Sequence, residues 1–358
     1  MNNGIWTDPR CTVLDLPMGM RGPFVNLDDG AILTVRANHV RTSDNGGATW
    51  SEPRVLYDGP APGVPGGGLL QMTEAGIIIY VYNDQSTRRW KWLTEDGEPA
   101  ANARTDTWSI RSLDGGETWV DRQLVQDGYC GGLITMTQAS SGEVIIPIQD
   151  LRRNPGRHVT QTYVSSNDGA SWTCSNTIDL GGNGDHDGAY EATLVELQDG
   201  RIWMLIRTNW DRFWEAYSED KGRSWRTIRP SNIDMSSTPG YVKRLASGRL
   251  VLVWTPLYPR GLSYYHRRVG RHSATPAVFQ REEMAISFSE DDGGTWTAPQ
   301  VIAKADPGAK PLVLGDGEEI SMEGLSYPLL FERTPGEIWV TTNFQGHLRV
   351  SLKEGDFI

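Results

Sequence analysis

Arg21, Arg207 and Arg281, with Glu191 and Tyr327, are residue types from which a site for an acidic molecule can be assembled. A guanidinium offers a planar fork of N–H donors that matches a carboxylate two bonds at a time. A Glu within reach of a Tyr adds a pair between which a proton can move. Taken singly, an Arg or a Tyr is usually a solvated surface residue. The five acquire meaning only if the elements that carry them end at one place.

Those elements announce themselves through a repeat. Ser112-Leu113-Asp114-Gly115-Gly116-Glu117-Thr118-Trp119 follows the plan Ser-x-Asp-x-Gly-x-Thr/Ser-Trp, and Ser43 to Trp50, Ser165 to Trp172, Ser218 to Trp225 and Ser289 to Trp296 repeat it, with Asn45 and Asn167 in place of Asp. Ser and Asx side chains hydrogen-bond the backbone of a turn, Gly accepts a conformation that a Cβ penalises, and Trp returns a large apolar surface to the body of the fold. The spacing of ~50–70 residues suits a four-stranded unit better than a helical solenoid.

Upstream of each box, two apolar runs flank a Gly-containing turn: Leu27 to Gly30, Glu74 to Gly76, Ser140 to Gly142, Gln198 to Gly200 and Ala246 to Gly248. A sixth turn, Thr334-Pro335-Gly336, has no box after it. Six hairpins predict six units, and the whole chain, 1–358, is expected to be a single all-β domain: a six-bladed β-propeller of four-stranded antiparallel blades. The last unit lacks a fourth strand before the chain ends. Thr12 to Leu16 is expected to supply it, closing the ring and removing its edges.

With strands named a to d from the axis outwards, the boxes join c to d on one face, and the b–c loops open on the other. Gly30 to Trp50 spans 20 residues, Gly76 to Trp119 spans 43, Gly142 to Trp172 spans 30, Gly200 to Trp225 spans 25 and Gly248 to Trp296 spans 48. The variation therefore falls in the b–c loops, which marks their face as the binding face. The long loops are Asp84 to Ala103 and about Pro256 to Gln280, the second with Tyr258, Arg260, Tyr264, Tyr265, His266, Arg267 and Arg268 as an aromatic and basic wall. Arg21 precedes strand a of blade 1, Glu191 opens strand a of blade 4 and Arg207 ends its strand b. Arg281 opens strand c of blade 5, and Tyr327 opens strand a of blade 6. Starts of a and c and ends of b share one mouth, so the topology predicts that the five converge.

Composition narrows the partners. The net charge of −11 argues against nucleic acid or an anionic membrane, but a local basic pocket for a small acid is compatible with it. No apolar stretch is long enough to span a bilayer, and Met1 to Arg10 has neither a basic nor an apolar leader region, so the chain as given is expected to be cytoplasmic, with export after removal of a leader as the alternative. Cys11, Cys130 and Cys174 show no motif spacing and read as reduced thiols. The Cys and His spacings make no ligand set, so no metal or organic cofactor is expected.

The boxes and the five positions together resemble the sialidase (neuraminidase) superfamily, whose propellers carry such Asp-box (BNR) repeats. Arg21-Gly22-Pro23 is similar to its Arg-Ile-Pro motif, and Tyr190 to Leu197 followed by Leu205-Ile206-Arg207 resembles the segment with its Glu and second Arg. Arg281, fifteen residues before Trp296, matches the third Arg, and Ser326-Tyr327-Pro328 matches the Tyr segment. The resemblance covers essentially the whole chain. It implies an exo-acting retaining glycoside hydrolase working through a covalent tyrosyl intermediate on sialic acid or a related 2-keto-3-deoxy acid sugar. The three Arg would hold the sugar carboxylate, and Glu191 would take the Tyr327 proton.

One departure stands out. Sialidases keep an acid/base Asp in the b–c loop of blade 1, and here that loop shrinks to Arg36-Ala37-Asn38-His39. Candidates for the missing proton donor are His39, Asp84 and Asp150 near the ends of neighbouring b strands, and Asp185-His186-Asp187. A lyase acting on a uronic-acid glycoside, or a sugar-binding propeller without catalysis, are the alternative functions for such a site.

Overall fold

In a computed structural model, residues 4–57, 68–93, 97–258, 260–261, 276–306, 308, 312–313, 319–320, 324–344 and 347–358 are described. Six antiparallel sheets follow one another around an axis, as a six-bladed propeller. Blade 1 has strands a to d at Phe24–Asn26, Ile32–Arg36, His39–Ser43 and Arg54–Val55. Blade 2 has Leu69–Met72, Ile78–Arg89, Arg104–Ser112 and Val120–Gln126. Blade 3 has Thr137–Gln138, Val144–Arg152, Arg157–Ser165 and Thr173–Cys174. Blade 4 has Ala192–Glu196, Ile202–Ile206, Arg212–Ser218 and Thr227–Asp234. Blade 5 has Tyr241–Arg244, Leu250–Trp254, Glu283–Ser289 and Gln300–Lys304. Blade 6 has a to c at Ser326–Thr334, Glu337–Phe344 and Arg349–Lys353.

The fourth strand of blade 6 comes from the other end of the chain. Thr12 pairs with Ser351 and Val13 with Val350, and the Leu14 N–H donates to the Arg349 carbonyl at 3.0 Å. The closing strand is shorter than Thr12 to Leu16, because Leu16 turns inward and is buried at the blade 6–blade 1 seam with Met20, Phe24 and Phe331. Trp6–Thr7 adds a fifth strand to blade 5, pairing with Lys304 and Ala303, which the repeat gave no reason to expect. The N-terminal segment thus covers the outer edges of two blades.

Each box closes on itself in the same way. The backbone N–H of Gly47, Gly116, Gly169, Gly222 and Gly293 donates at 2.8 Å to the hydroxyl of the Ser four residues earlier. That Gly serves two constraints at once. Its φ is positive, and a Cβ on Gly116 would lie 2.3 Å from Leu33 of blade 1, as one on Gly47 would lie 2.5 Å from Trp339 of blade 6. The box Trp enters the same seam: the Trp225 indole N–H donates to Thr162 of blade 3 at 2.8 Å and that of Trp172 to Ser109 of blade 2 at 3.0 Å. The boxes are therefore inter-blade clasps, and the apolar core is a set of seams between blades, such as Leu33, Val35 and Val40 against Ile78, Tyr80 and Tyr82. The cysteines are free thiols, with Cys130 buried and Cys174 exposed.

The expected long loop from Asp84 is in part regular structure. Strand b of blade 2 runs on to Arg89, paired back to Arg104, and a small hairpin of Trp92–Leu93 with Glu98–Pro99 caps it. Asp84 and Asp150 consequently lie within b strands rather than at their ends. Tyr264, Tyr265, His266, Arg267 and Arg268 of the second long loop lie outside the described residues.

Candidate active site

The ends of strands from blades 4, 5 and 6 meet on the b–c face. Backbone bonds carry the blade 4 ladder one step past its strands, Arg207 N to Glu191 O and Tyr190 N to Arg207 O, both at 3.2 Å. This fixes Glu191 and Arg207 side by side, and their side chains form a buried ion pair. Tyr327, from blade 6, donates its hydroxyl proton to Glu191 Oε1 at 2.6 Å and accepts from Arg207 Nη1 at 3.0 Å. Arg281 donates from Nη2 to the Ser237 carbonyl at 2.9 Å, and its guanidinium carbon is 6.0 Å from the centroid of the Tyr327 ring.

Glu191, Arg207, Arg281 and Tyr327 are thus brought together. Arg21 is buried at the blade 6–blade 1 seam, where its carbonyl accepts from the Thr341 hydroxyl and its charge acts on His347 and Arg349. The backbone at Tyr327 is unusual. Its φ is +56°, a left-handed conformation for a bulky residue, and Pro328 follows it. Such a conformation costs on the order of 1–3 kcal/mol, and a following Pro adds its own restriction. The packed seam holds the phenol towards the axis against that cost.

The electrostatics follow from burial against charge. Burial raises the Tyr327 phenol well above its ordinary pKa and Glu191 adds to the effect, while Arg207 and Arg281 act in the opposite direction. Burial opposes the charge of Arg207, but Glu191 and the neighbouring tyrosines outweigh it and the guanidinium stays protonated. Burial and the field of Arg207 pull Arg281 down to about 10. The like charge of Arg207 makes Arg281 a group that gains from an arriving anion, Glu191 and Tyr327 offsetting part of that repulsion. The arrangement can move a proton from a phenol to a carboxylate beside two guanidinium groups.

Three supporting residues carry no repeat signal. Ser237, in the irregular crossing between blades 4 and 5, accepts from Arg207 at its hydroxyl and from Arg281 at its carbonyl, holding both. Tyr190 lies under Arg207, ring centroid 4.4 Å from the guanidinium carbon, and its hydroxyl is 3.1 Å from Ser237 Oγ. Its neighbour Glu191 was the only sequence clue. Gly132 leaves room for the pair: a Cβ there would lie 3.1 Å from Glu191 Oε1 and 3.5 Å from Tyr327 Cε1.

The acid candidates fare differently. His39 is exposed at the start of strand c in blade 1, opposite Arg36, and the structure does not set it against the Tyr327–Glu191 pair. Its loop is pinned short by Asn38, whose side chain bonds both the N–H and the carbonyl of Tyr57. Asp84 is buried and accepts from Ser86, with Arg122 at 3.9 Å. Asp150 is raised above the ordinary carboxyl value, chiefly by burial, and Arg152 stands 3.4 Å from it. Asp187 is tied down by Asn183 N–H and the Asn209 amide, and Asp185 by His186.

Comparison with known proteins agrees with this architecture. Residues 38–340 match the model of the BNR repeat-like domain. A sialidase of Micromonospora viridifaciens is 26% identical over 326 residues, covering 83% of this chain, which spans 45% of that protein's length. Among solved structures, a Dyadobacter fermentans protein of unknown function superposes with a TM-score of 0.61 at 16% identity, over 97% of this chain and 98% of that one. The Hadza microbial sialidase Hz136 gives 0.59 at 14% identity over 94% and 66% of the two chains, and the K499G mutant of the NanB sialidase of Streptococcus pneumoniae 0.58 at 12% over 98% and 71%. Together with the five clasped boxes and the six blades, the family match makes the chain a member of the BNR repeat-like domain family, within the sialidase-like superfamily.

Proposed function

We propose that this protein is an exo-acting glycoside hydrolase that releases a carboxylate-bearing sugar, sialic acid or a related 2-keto-3-deoxy acid, with retention of configuration. The observation that carries the reading is the 2.6 Å hydrogen bond from the Tyr327 hydroxyl to Glu191, with Arg207 bonded to both. The sugar carboxylate would meet Arg281 and Arg207, with Arg21 completing the clamp. As the phenolic oxygen bonds to the anomeric carbon, its proton passes to Glu191, and the glycosidic C–O bond breaks with its electron pair on the departing oxygen. That oxygen takes a proton from a separate acidic side chain or from water, and Arg207 Nη1 stabilises the charge on the phenolic oxygen early in the step. Water then attacks the anomeric carbon, releasing the proton that replaces the one given to the departing oxygen, and the phenolate leaves, recovering its proton from Glu191. A neutral nucleophile suits a centre that already bears a carboxylate, since it avoids repulsion between two anions.

The relatives support the substrate class, being named sialidases, and the arginine pair supports an acid sugar. The test is incubation with 2,3-difluorosialic acid followed by intact-mass and peptide mapping. An adduct on Tyr327 is expected. Turnover of sialosides with no adduct, or an adduct elsewhere, would overturn the tyrosyl mechanism. The short blade 1 loop favours a second reading, a lyase on uronic-acid glycosides, because elimination does not need the Asp that this loop lacks. An ultraviolet-absorbing unsaturated product would establish it.

A further inference from the structure

Along the axis, towards the face that carries the boxes, lies a cavity of about 430 Å³ walled by the innermost strands of blades 2 to 5. Tyr241 and Lys243 both line it, two residues apart on strand a of blade 5 and so pointing to the same side of the strand. Among the described residues, neither the Lys243 ammonium nor the Tyr241 hydroxyl has a hydrogen-bond or ion-pair partner. The other charges around the cavity are engaged. Glu196 holds Lys221 and Ser140, and Arg244 holds Asp292 and the Glu196 carbonyl. Glu332 of blade 6, among the described residues the one acid whose field reaches Lys243, accepts from the N–H groups of Ala246 and Gly336.

Burial draws the Lys243 ammonium below its ordinary pKa, Glu332 offsetting this only in part, and raises the Tyr241 hydroxyl to about 12, so Tyr241 remains a donor. Two donors, one of them a cation, line one axial cavity, and among the described residues none of the acceptors around it is bonded to either. Both side chains are half-buried, and an acceptor arriving between them gains a charge-assisted bond in a site partly withdrawn from water.

We propose that this axial cavity is a binding site for one small oxyanion-bearing molecule, a carboxylate or a phosphate, with Lys243 as counter-charge and Tyr241 as hydrogen-bond donor. At a water's share of about 30 Å³, the volume admits an acid monosaccharide as well as an inorganic ion. The site is on the opposite side of the ring from the Tyr327 pair, and the inference does not depend on the function assigned to that pair.

The test is isothermal titration calorimetry of the full chain with inorganic phosphate and, separately, with N-acetylneuraminic acid. At least one of the two should show a saturable site that Lys243→Met weakens tenfold or more, Tyr241→Phe weakens several-fold, and Tyr327→Phe leaves unchanged. Phosphate alone binding there marks an inorganic-ion site, and the sugar acid binding there marks one for the released acid. Affinities undiminished by Lys243→Met, or no saturable binding of either anion beyond that lost in Arg281→Lys, overturn the proposal. Should Lys243→Met not fold, Tyr241→Phe decides: it removes one hydroxyl, and wild-type affinity in that variant overturns the proposal equally.

Discussion

Tyr327 and Glu191, 136 residues apart in the chain, share a 2.6 Å hydrogen bond in which the phenol is the donor. Burial and the adjacent carboxylate hold that phenol neutral well past its ordinary pKa, so it reaches the phenolate only as Glu191 takes its proton. Glu191→Gln keeps the shape and removes the base, and kcat should fall by roughly 10²–10⁴. Tyr327→Phe should fall further and give no adduct with a fluorinated acid sugar. Steady-state kinetics on an aryl sialoside reads both, and a Glu191→Gln variant within a few-fold of wild type would remove Glu191 from the proton path.

Ser237 ties Arg207 and Arg281 to one point, so the clamp can be probed at the ligand and behind it. Arg281→Lys or Arg207→Lys loses the planar fork and should weaken an acid-sugar ligand by ~1.5–3 kcal/mol. Arg21→Lys should do the same if its guanidinium completes the clamp. Ser237→Ala should raise KM more than it lowers kcat, since it loosens the clamp and leaves the pair in place. A neutral analogue lacking the carboxylate is the control: equal losses for both ligands would mean that these arginines do not form a carboxylate site.

The parts of this fold legible in the sequence are those where local chemistry repeats. Ser, Asx, Gly and Trp in the boxes each meet a constraint within eight residues, and the box Gly meets a second one against the preceding blade. The meeting of Glu191, Arg207, Arg281 and Tyr327 could be read because repeat topology alone brings those strand ends to one mouth. Ser237 could not, because it sits in a crossing with no periodicity and acts through a carbonyl as much as a side chain. Trp6–Thr7 was hidden for a related reason: a two-residue edge strand has no pattern, and only the free edge of blade 5 defines it.

That added strand separates two truncations. Removing residues 1–9 deletes the edge strand on blade 5 and the buried Ile5, and should lower the melting temperature while leaving a monomer. Removing residues 1–17 also deletes Thr12–Val13 and opens blade 6, so aggregation through the exposed edge should appear. Light scattering alongside thermal unfolding distinguishes them. Identical behaviour of the two truncations would sink the closure argument.

His158 couples the site to pH. It is buried among Trp90, Tyr129 and Tyr190, its Nδ1 is 2.9 Å from the Gln149 amide, and its Nε2 is 2.8 Å from the Asp185 carbonyl. Burial depresses it to about 4, so the fold keeps it neutral. The unfolded chain gains a proton there as pH falls through about 6.5, the ordinary value. The stabilisation is therefore complete above that pH and is lost as pH falls towards 4, amounting to ~3 kcal/mol at most. Urea unfolding of His158→Gln should show lower stability at pH 7 and a flatter decline between 6.5 and 4. His347, also depressed to about 4 by burial and by Arg349, Arg21 and Arg36, should account for part of the remaining slope. An unchanged slope in His158→Gln would mean that other groups govern acid unfolding.

The short blade 1 loop sets the sharpest kinetic expectation. Asn38 pins that loop to Tyr57, leaving neither length nor an acidic residue where sialidases keep their proton donor. An aryl glycoside with an acidic phenol departs without help, whereas an alkyl sugar does not. If Tyr327 and Glu191 act without a dedicated acid, activated aryl substrates should be cleaved far faster than natural linkages, and Tyr327→Phe should abolish both. If His39 serves as the acid, moving into reach when substrate binds, His39→Ala should slow the alkyl leaving group and spare the aryl one. Asp150 is the competing donor, because burial already holds its carboxyl above the ordinary value. Asp150→Asn should then show the selective loss that His39→Ala does not. Fast cleavage of natural sialosides in both variants would exclude the two of them and leave Asp84 and the Asp185–Asp187 loop to be tested in the same way.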